Sequence, residues 1–77
     1  MTELQKAIQL LEAGDWDGAH RIVQDDDSKL ASWAHGLVHL IEGDLDNAGY
    51  WYRLAGRSRP DVAQVAAEIA ALRREAV

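Results

Sequence analysis

The sequence predicts an all-α protein of about five helices, and three observations support this class. Apolar residues recur every three or four positions along most of the 77 residues. A six-residue phrase occurs twice, as Gly14-Asp15-Trp16-Asp17-Gly18-Ala19 and as Gly43-Asp44-Leu45-Asp46-Asn47-Ala48. The chain has no phenylalanine, one proline and few strand-like runs, which leaves no place for a β-sheet.

Each copy of the repeated phrase is typical of the bend in a helical hairpin. The glycine ends one helix in a left-handed conformation, and the aspartate that follows caps the next helix. The alanine that closes each phrase lets the two helices approach closely. The sequence therefore predicts two hairpins, at about 2–26 and 28–57, within a single domain.

The first hairpin has recognisable start and stop signals. Thr2 and Gln5 have the spacing of a capping box, which begins a helix at about 2–13. Asp15 caps a second, shorter helix, and this helix ends in the run Asp25-Asp26-Asp27, where neighbouring carboxylates repel one another and favour turns.

The second hairpin consists of predicted helices at about 29–42 and 45–57, the first of them capped by Asp27 or Ser28. A proline in the first turn begins a last helix at about 60–75. This helix carries a narrow apolar stripe that needs one partner surface, formed by Val62, Val65, Ile69, Leu72 and Ala76.

Composition narrows the functional classes. Thirteen acidic residues against eight basic ones give a net charge of −5, which disfavours binding to nucleic acid. Three arginines cluster near the predicted end of the fourth helix, where cations offset the helix dipole: Arg53, Arg57 and Arg59. The absence of cysteine, of a basic and apolar leader and of a membrane-length apolar run predicts a cytoplasmic protein that neither spans nor binds a membrane.

The segment from Ser32 to Pro60 resembles a tetratricopeptide repeat. The positions that match are Gly36, Gly43, Ala48, Tyr52, Ala55 and Pro60. The first hairpin matches the same pattern more loosely, at Ala7, Gly14, Trp16, Ala19 and Val23. This resemblance implies a right-handed array of two hairpins and a C-terminal capping helix, and a scaffold that binds another protein or peptide, although fold alone does not fix function.

Two features depart from that repeat. The copies lie 29 residues apart, where tetratricopeptide repeats recur about every 34 residues, so we expect a shortened second helix. His35 and His39 stand where the repeat usually has leucine and tyrosine. The chain also looks like a set of small uncharacterised bacterial proteins that share this histidine pair, Glu42-Gly43-Asp44 and Asn47-Ala48 followed by Tyr50-Trp51-Tyr52. That second resemblance implies no activity.

A broad apolar face of the third helix predicts a binding groove for a protein, a peptide or a second copy of the chain. Its predicted residues are Leu30, Trp33, Leu37 and Ile41, with Arg53 and Arg57 as clamps for carboxylates. Either the last helix covers this face or another chain does, and we expect a lid that leaves part of the groove open. Trp16, Trp51 and Tyr52 are expected to fill the core.

The histidines support an alternative function. His35 and His39 lie one helical turn apart, Glu42 extends the same stripe, and His20 could complete a three-imidazole zinc site or an acid-base site. Gly36 stands where the zinc metalloprotease pattern requires glutamate, so that pattern fails. Structural histidines that hydrogen-bond the next helix, or a pH-sensitive interface, would also explain the pair. No nucleophile motif or phosphate loop is present, so the sequence does not predict an enzyme or, on the scaffold interpretation, any cofactor.

Overall fold

The computed structural model describes residues 1–77 and contains five α-helices and no strand, which confirms the all-α prediction. The helices are α1 (Glu3–Glu12), α2 (Trp16–Val23), α3 (Lys29–Glu42), α4 (Leu45–Leu54) and α5 (Val65–Glu75), and a 3-10 turn (Val62–Gln64) precedes α5. None of these helices combines the length and apolar character that crossing a lipid bilayer requires.

The second helix has the short length that the sequence predicts, whereas the fourth ends earlier than predicted. The second helix was expected to be short, and α2 stops at Val23, just before the three aspartates. The fourth was expected to reach residue 57, but α4 ends at Leu54, and the N–H of Arg57 donates back to the carbonyl oxygen of Tyr52 at 2.9 Å. This bond satisfies a carbonyl group of the last turn and directs the chain away from the helix axis.

The repeated glycine-aspartate phrases lie at the two bends between paired helices, as predicted. Gly14 and Gly43 have φ values of 84° and 82°, in the left-handed region that side chains disfavour. The side chain of Asp15 accepts the N–H of residue 18 at 2.9 Å, and Asp44 accepts the N–H of residue 47 at 3.4 Å. Both aspartates therefore cap the helix that follows each bend.

Helix α3 is the central element of the core, because it packs against each of the other four helices. Eight consecutive residues of α3 are buried, from Ala31 to Val38. The largest completely buried side chains of the molecule are Trp33, Tyr52, Ile8, Leu37, Leu40, Leu72, Val23 and Val38. A helix that is apolar on nearly all sides is expected only where neighbours surround it.

Helix α5 covers one side of α3 and is held there by a half-buried carboxylate. One oxygen of Glu68 accepts the indole N–H of Trp33 at 3.0 Å and the hydroxyl of Tyr52 at 2.9 Å. The guanidinium of Arg57 lies 3.6 Å from the centre of the Trp33 ring, in a cation-π contact. The lid that the sequence predicted is therefore present.

Two of the residues expected to line an open groove are covered by α5 and the core, and the groove itself stays a prediction. Trp33 is 1% exposed and Leu37 is completely buried. Leu30 and Ile41 are half-buried against the core. Trp16 corrects a second prediction, since it was expected to fill the core and is instead 41% exposed at the first turn of α2.

Helices α3 and α4 approach each other closely at Gly36. A Cβ atom at this position would lie 2.6 Å from Cδ2 of the Tyr52 ring and 3.3 Å from the carbonyl oxygen of Ala48. The first distance is far below van der Waals contact, so only glycine allows the observed packing.

We expect Gly36→Ala to destabilise the fold. Overpacking of a close-packed core costs about 1–3 kcal/mol, and the better helix propensity of alanine offsets up to about 1 kcal/mol of this loss. Urea unfolding followed by circular dichroism measures the change. Gly49→Ala on α4 is the matched control, because a Cβ there would meet its nearest neighbour, Arg59 Cδ, at 4.0 Å. Equal stability of the two variants would contradict the packing argument.

Candidate functional site

Three imidazole rings meet on the side of α3 that α5 does not cover. His20 comes from the second half of α2, and His35 and His39 lie one turn apart on α3. The ring centres are 4.6 Å apart for His20 and His35, 5.0 Å for His35 and His39, and 5.5 Å for His20 and His39. The chain has three histidines, and the fold brings all of them together.

The nitrogen atoms of the cluster are close but unpaired with one another. One ring nitrogen from each histidine lies within 4.8 Å of the other two. Within the protein, the cluster makes one side-chain hydrogen bond, between His39 Nδ1 and Glu42 Oε1 at 3.0 Å. Nδ1 of His35 is buried and has no partner at all. A buried polar atom without a partner destabilises a fold by about 1–3 kcal/mol, so this atom calls for an explanation.

Trp51 of α4 forms the wall behind His35. The two rings are stacked with centres 3.8 Å apart and planes 9° from parallel. His35 is 5% exposed, whereas His20, His39 and Trp51 are half-buried. The cluster therefore has a closed side, made by the indole, and two imidazoles that reach the surface.

The environment of His35 keeps its ring neutral. Burial and the neighbouring imidazoles of His20 and His39 lower the pKa of His35 from 6.5 to about 4. A neutral imidazole retains a lone pair on one nitrogen, which is the form that binds a metal ion. At neutral pH this ring is therefore in the protonation state of a ligand.

Glu42 orients the third ring. An ionised carboxylate only accepts hydrogen bonds, so Nδ1 of His39 donates to Glu42 and leaves the lone pair on Nε2. Carboxylates that hold a histidine in this way are common next to the ligands of protein metal sites. The sequence placed Glu42 on the same stripe, and the structure shows what it contacts.

The remaining predicted site residues lie elsewhere. Arg53 lies in the last turn of α4, and Arg57 follows the end of that helix and contacts Trp33. Both residues are exposed, and neither forms an ion pair with a carboxylate. Sequence reasoning did not identify Trp51 as part of the histidine cluster or Glu68 as the residue that holds α5. An aromatic residue next to the repeat tyrosine was the available signal for Trp51, and nothing local distinguishes Glu68 from the other acidic residues.

No protein family, curated protein or solved structure matches this chain in comparisons with known proteins.

We expect the metal-free protein to lose stability as the pH falls from 6.5 towards 4. The unfolded chain binds a proton at His35 near pH 6.5, whereas the folded chain binds it only near pH 4. The folded state is therefore most stable above pH 6.5. The free energy of unfolding should fall by about 2 kcal/mol between pH 7 and pH 5.

Urea unfolding in a chelating buffer at the two pH values measures this loss. His35→Gln removes the titrating group and should reduce the difference between the two pH values by that amount, while Asp25→Asn on the exposed acidic run should leave most of it. The same pH dependence in wild type and His35→Gln would show that other groups cause it.

Proposed function

We propose that the protein binds a divalent transition-metal ion through His20, His35 and His39, and that Zn²⁺ suits the site best. The observation that carries this proposal is the convergence of the three ring nitrogens within 4.8 Å. Imidazole nitrogen is a preferred ligand of Zn²⁺, and sites of three histidines with an additional ligand are an established type.

The three ring nitrogens lie within 4.8 Å of one another, and small side-chain movements would bring them to the spacing that one bound ion requires. Two nitrogens bound to one Zn²⁺ in tetrahedral geometry lie about 3.3 Å apart. His20 and His39 are half-buried, so their rings can rotate towards the ion, while His35 is fixed by Trp51. The buried, stacked ring would then act as the anchor of the site.

A purely structural role explains the cluster less well. Structural histidines were expected to hydrogen-bond a polar group of the next helix. Here His35 Nδ1 has no partner, and the residue of α4 that His35 contacts is an indole, stacked face to face. Metal binding gives a buried imidazole the partner that a packing role leaves missing.

We expect one Zn²⁺ to bind and to stabilise the fold, because the ion joins α2 to α3. At a free ion concentration of 100 times the dissociation constant, the free energy of unfolding should rise by about 2.7 kcal/mol. Each His→Gln variant should weaken binding by at least about a hundredfold, since it removes a direct ligand. Elemental analysis, zinc titration by calorimetry and thermal unfolding with and without chelator measure these effects.

The matched control tests whether the imidazoles or the acidic surface residues bind the metal ion. Substitution of Asp25, Asp26 and Asp27 by asparagine removes the densest run of carboxylates without touching a histidine. This variant should bind Zn²⁺ as the wild type does. An unchanged affinity in His35→Gln, or loss of binding in the asparagine variant alone, would refute the histidine site.

A second candidate function is binding of an acidic, amphipathic segment of another protein. Tyr50 and Leu54 are 50% and 48% exposed and lie one turn apart on α4. Arg53 lies beside this pair on α4, and Arg57 follows the end of the helix. Neither arginine forms an ion pair, although the chain carries a net charge of −5. The resemblance to tetratricopeptide repeats favours such binding, here on the outer face of α4 and not in the predicted groove.

A labelled peptide with leucine and glutamate at alternating three- and four-residue spacing tests this surface by fluorescence anisotropy. We expect Arg53→Glu to weaken binding at least about tenfold because it reverses a charge beside the apolar pair. Arg74→Glu on the exposed side of α5 is the control and should change binding little. Equal binding by the two variants would contradict the proposal, and a dimer in sedimentation velocity would make a second copy of the chain the occupant instead.

A further inference from the structure

We propose that the metal-loaded histidine cluster takes a small anion as its fourth ligand. This inference rests on the proposed function and concerns what the bound ion would recognise. The ligand that we expect on the metal ion is a monodentate inorganic anion or a small carboxylate, and not a large organic substrate.

The cluster supplies fewer ligands than a zinc ion usually takes. Zn²⁺ in proteins is usually four-coordinate, and the cluster supplies three nitrogens. The chain has no cysteine, and Glu42, the carboxylate that hydrogen-bonds the cluster, is held by Nδ1 of His39. One coordination position is therefore left for a ligand from solution.

The protein ligands would leave the charge of the bound metal ion uncompensated. Three neutral imidazoles contribute no negative charge, so a divalent ion at this site keeps its full +2 charge. On the closed side the uncharged indole of Trp51 lies flat against His35 and adds no charge. An anion at the fourth position reduces this charge directly, whereas a water molecule does so only by losing a proton.

The space beside the histidine cluster suits a small ligand. His39 and Glu42 have side chains that are 14% and 41% exposed, so the cluster opens to solvent on this side. The surface pocket of the molecule, of about 250 Å³, lies elsewhere, between α1 and α5, and Leu11, Glu12, Ala66, Ile69 and Ala70 line it. No cavity adjoins the histidines that could enclose a larger molecule, so the ion itself must supply most of the affinity.

Cobalt substitution tests this inference, because the visible spectrum of bound Co²⁺ responds to its ligands. Thiocyanate is the probe, and perchlorate at the same ionic strength is the non-coordinating control. We expect a saturable spectral change with one thiocyanate per cobalt and no change with perchlorate. Saturable cobalt binding with a spectrum that thiocyanate leaves unchanged would overturn the inference while leaving the proposed metal site intact.

Glu42→Gln distinguishes the two ways in which the fourth position could be filled. Both proteins are compared at saturating cobalt, because loss of the carboxylate that orients His39 should weaken cobalt binding itself. If the position is open, the cobalt-loaded variant should still bind one thiocyanate, roughly threefold more tightly because a nearby negative charge is gone. A thiocyanate response that appears only in Glu42→Gln would identify Glu42 as the fourth ligand and overturn the inference. Failure of cobalt to bind the wild type would instead count against the proposed function itself.

Discussion

The close approach of α3 and α4 at Gly36 determines where the other parts of the molecule lie. Because residue 36 has no side chain, the ring of Tyr52 rests on the backbone of α3. Tyr52 also reaches Glu68, which holds α5 over the core. His35 and Trp51 precede these two residues in the sequence, so the same contact sets imidazole and indole face to face. One helix crossing thus organises both the lid and the histidine cluster.

Features of the fold that depend on local chemistry could be predicted from the sequence. The glycine-aspartate bends are an example, because a left-handed glycine and an aspartate cap act within a few residues of one another. The burial of Trp33 under the last helix could not be predicted in the same way. Its burial depends on Glu68, which lies 35 positions away and forms a hydrogen bond that no periodic pattern encodes. The apolar face was recognised correctly, but its occupant is the protein's own last helix.

The histidine site also combines features that local sequence predicts with features that depend on long-range contacts. Helical spacing was enough to place His35 and His39 on one face with Glu42. His20 joins them only because the α1–α2 hairpin packs against α3, and this arrangement involves residues far apart in sequence. Trp51 was expected to act as a core residue and is instead a half-buried wall of the cluster. Burial and the imidazoles of His20 and His39 keep the pKa of His35 low, and the ring of Trp51, from another helix, covers one face of this imidazole.

The three tryptophans occupy environments that differ in solvent access and in their aromatic or charged neighbours. Trp16 is partly in water, Trp33 is enclosed beneath a guanidinium, and Trp51 lies flat on an imidazole. Indole fluorescence shifts to shorter wavelength in apolar surroundings and is sensitive to quenching by groups in contact. The protein therefore carries three intrinsic optical reporters, one each for the first bend, the lid and the imidazole cluster, without any attached dye.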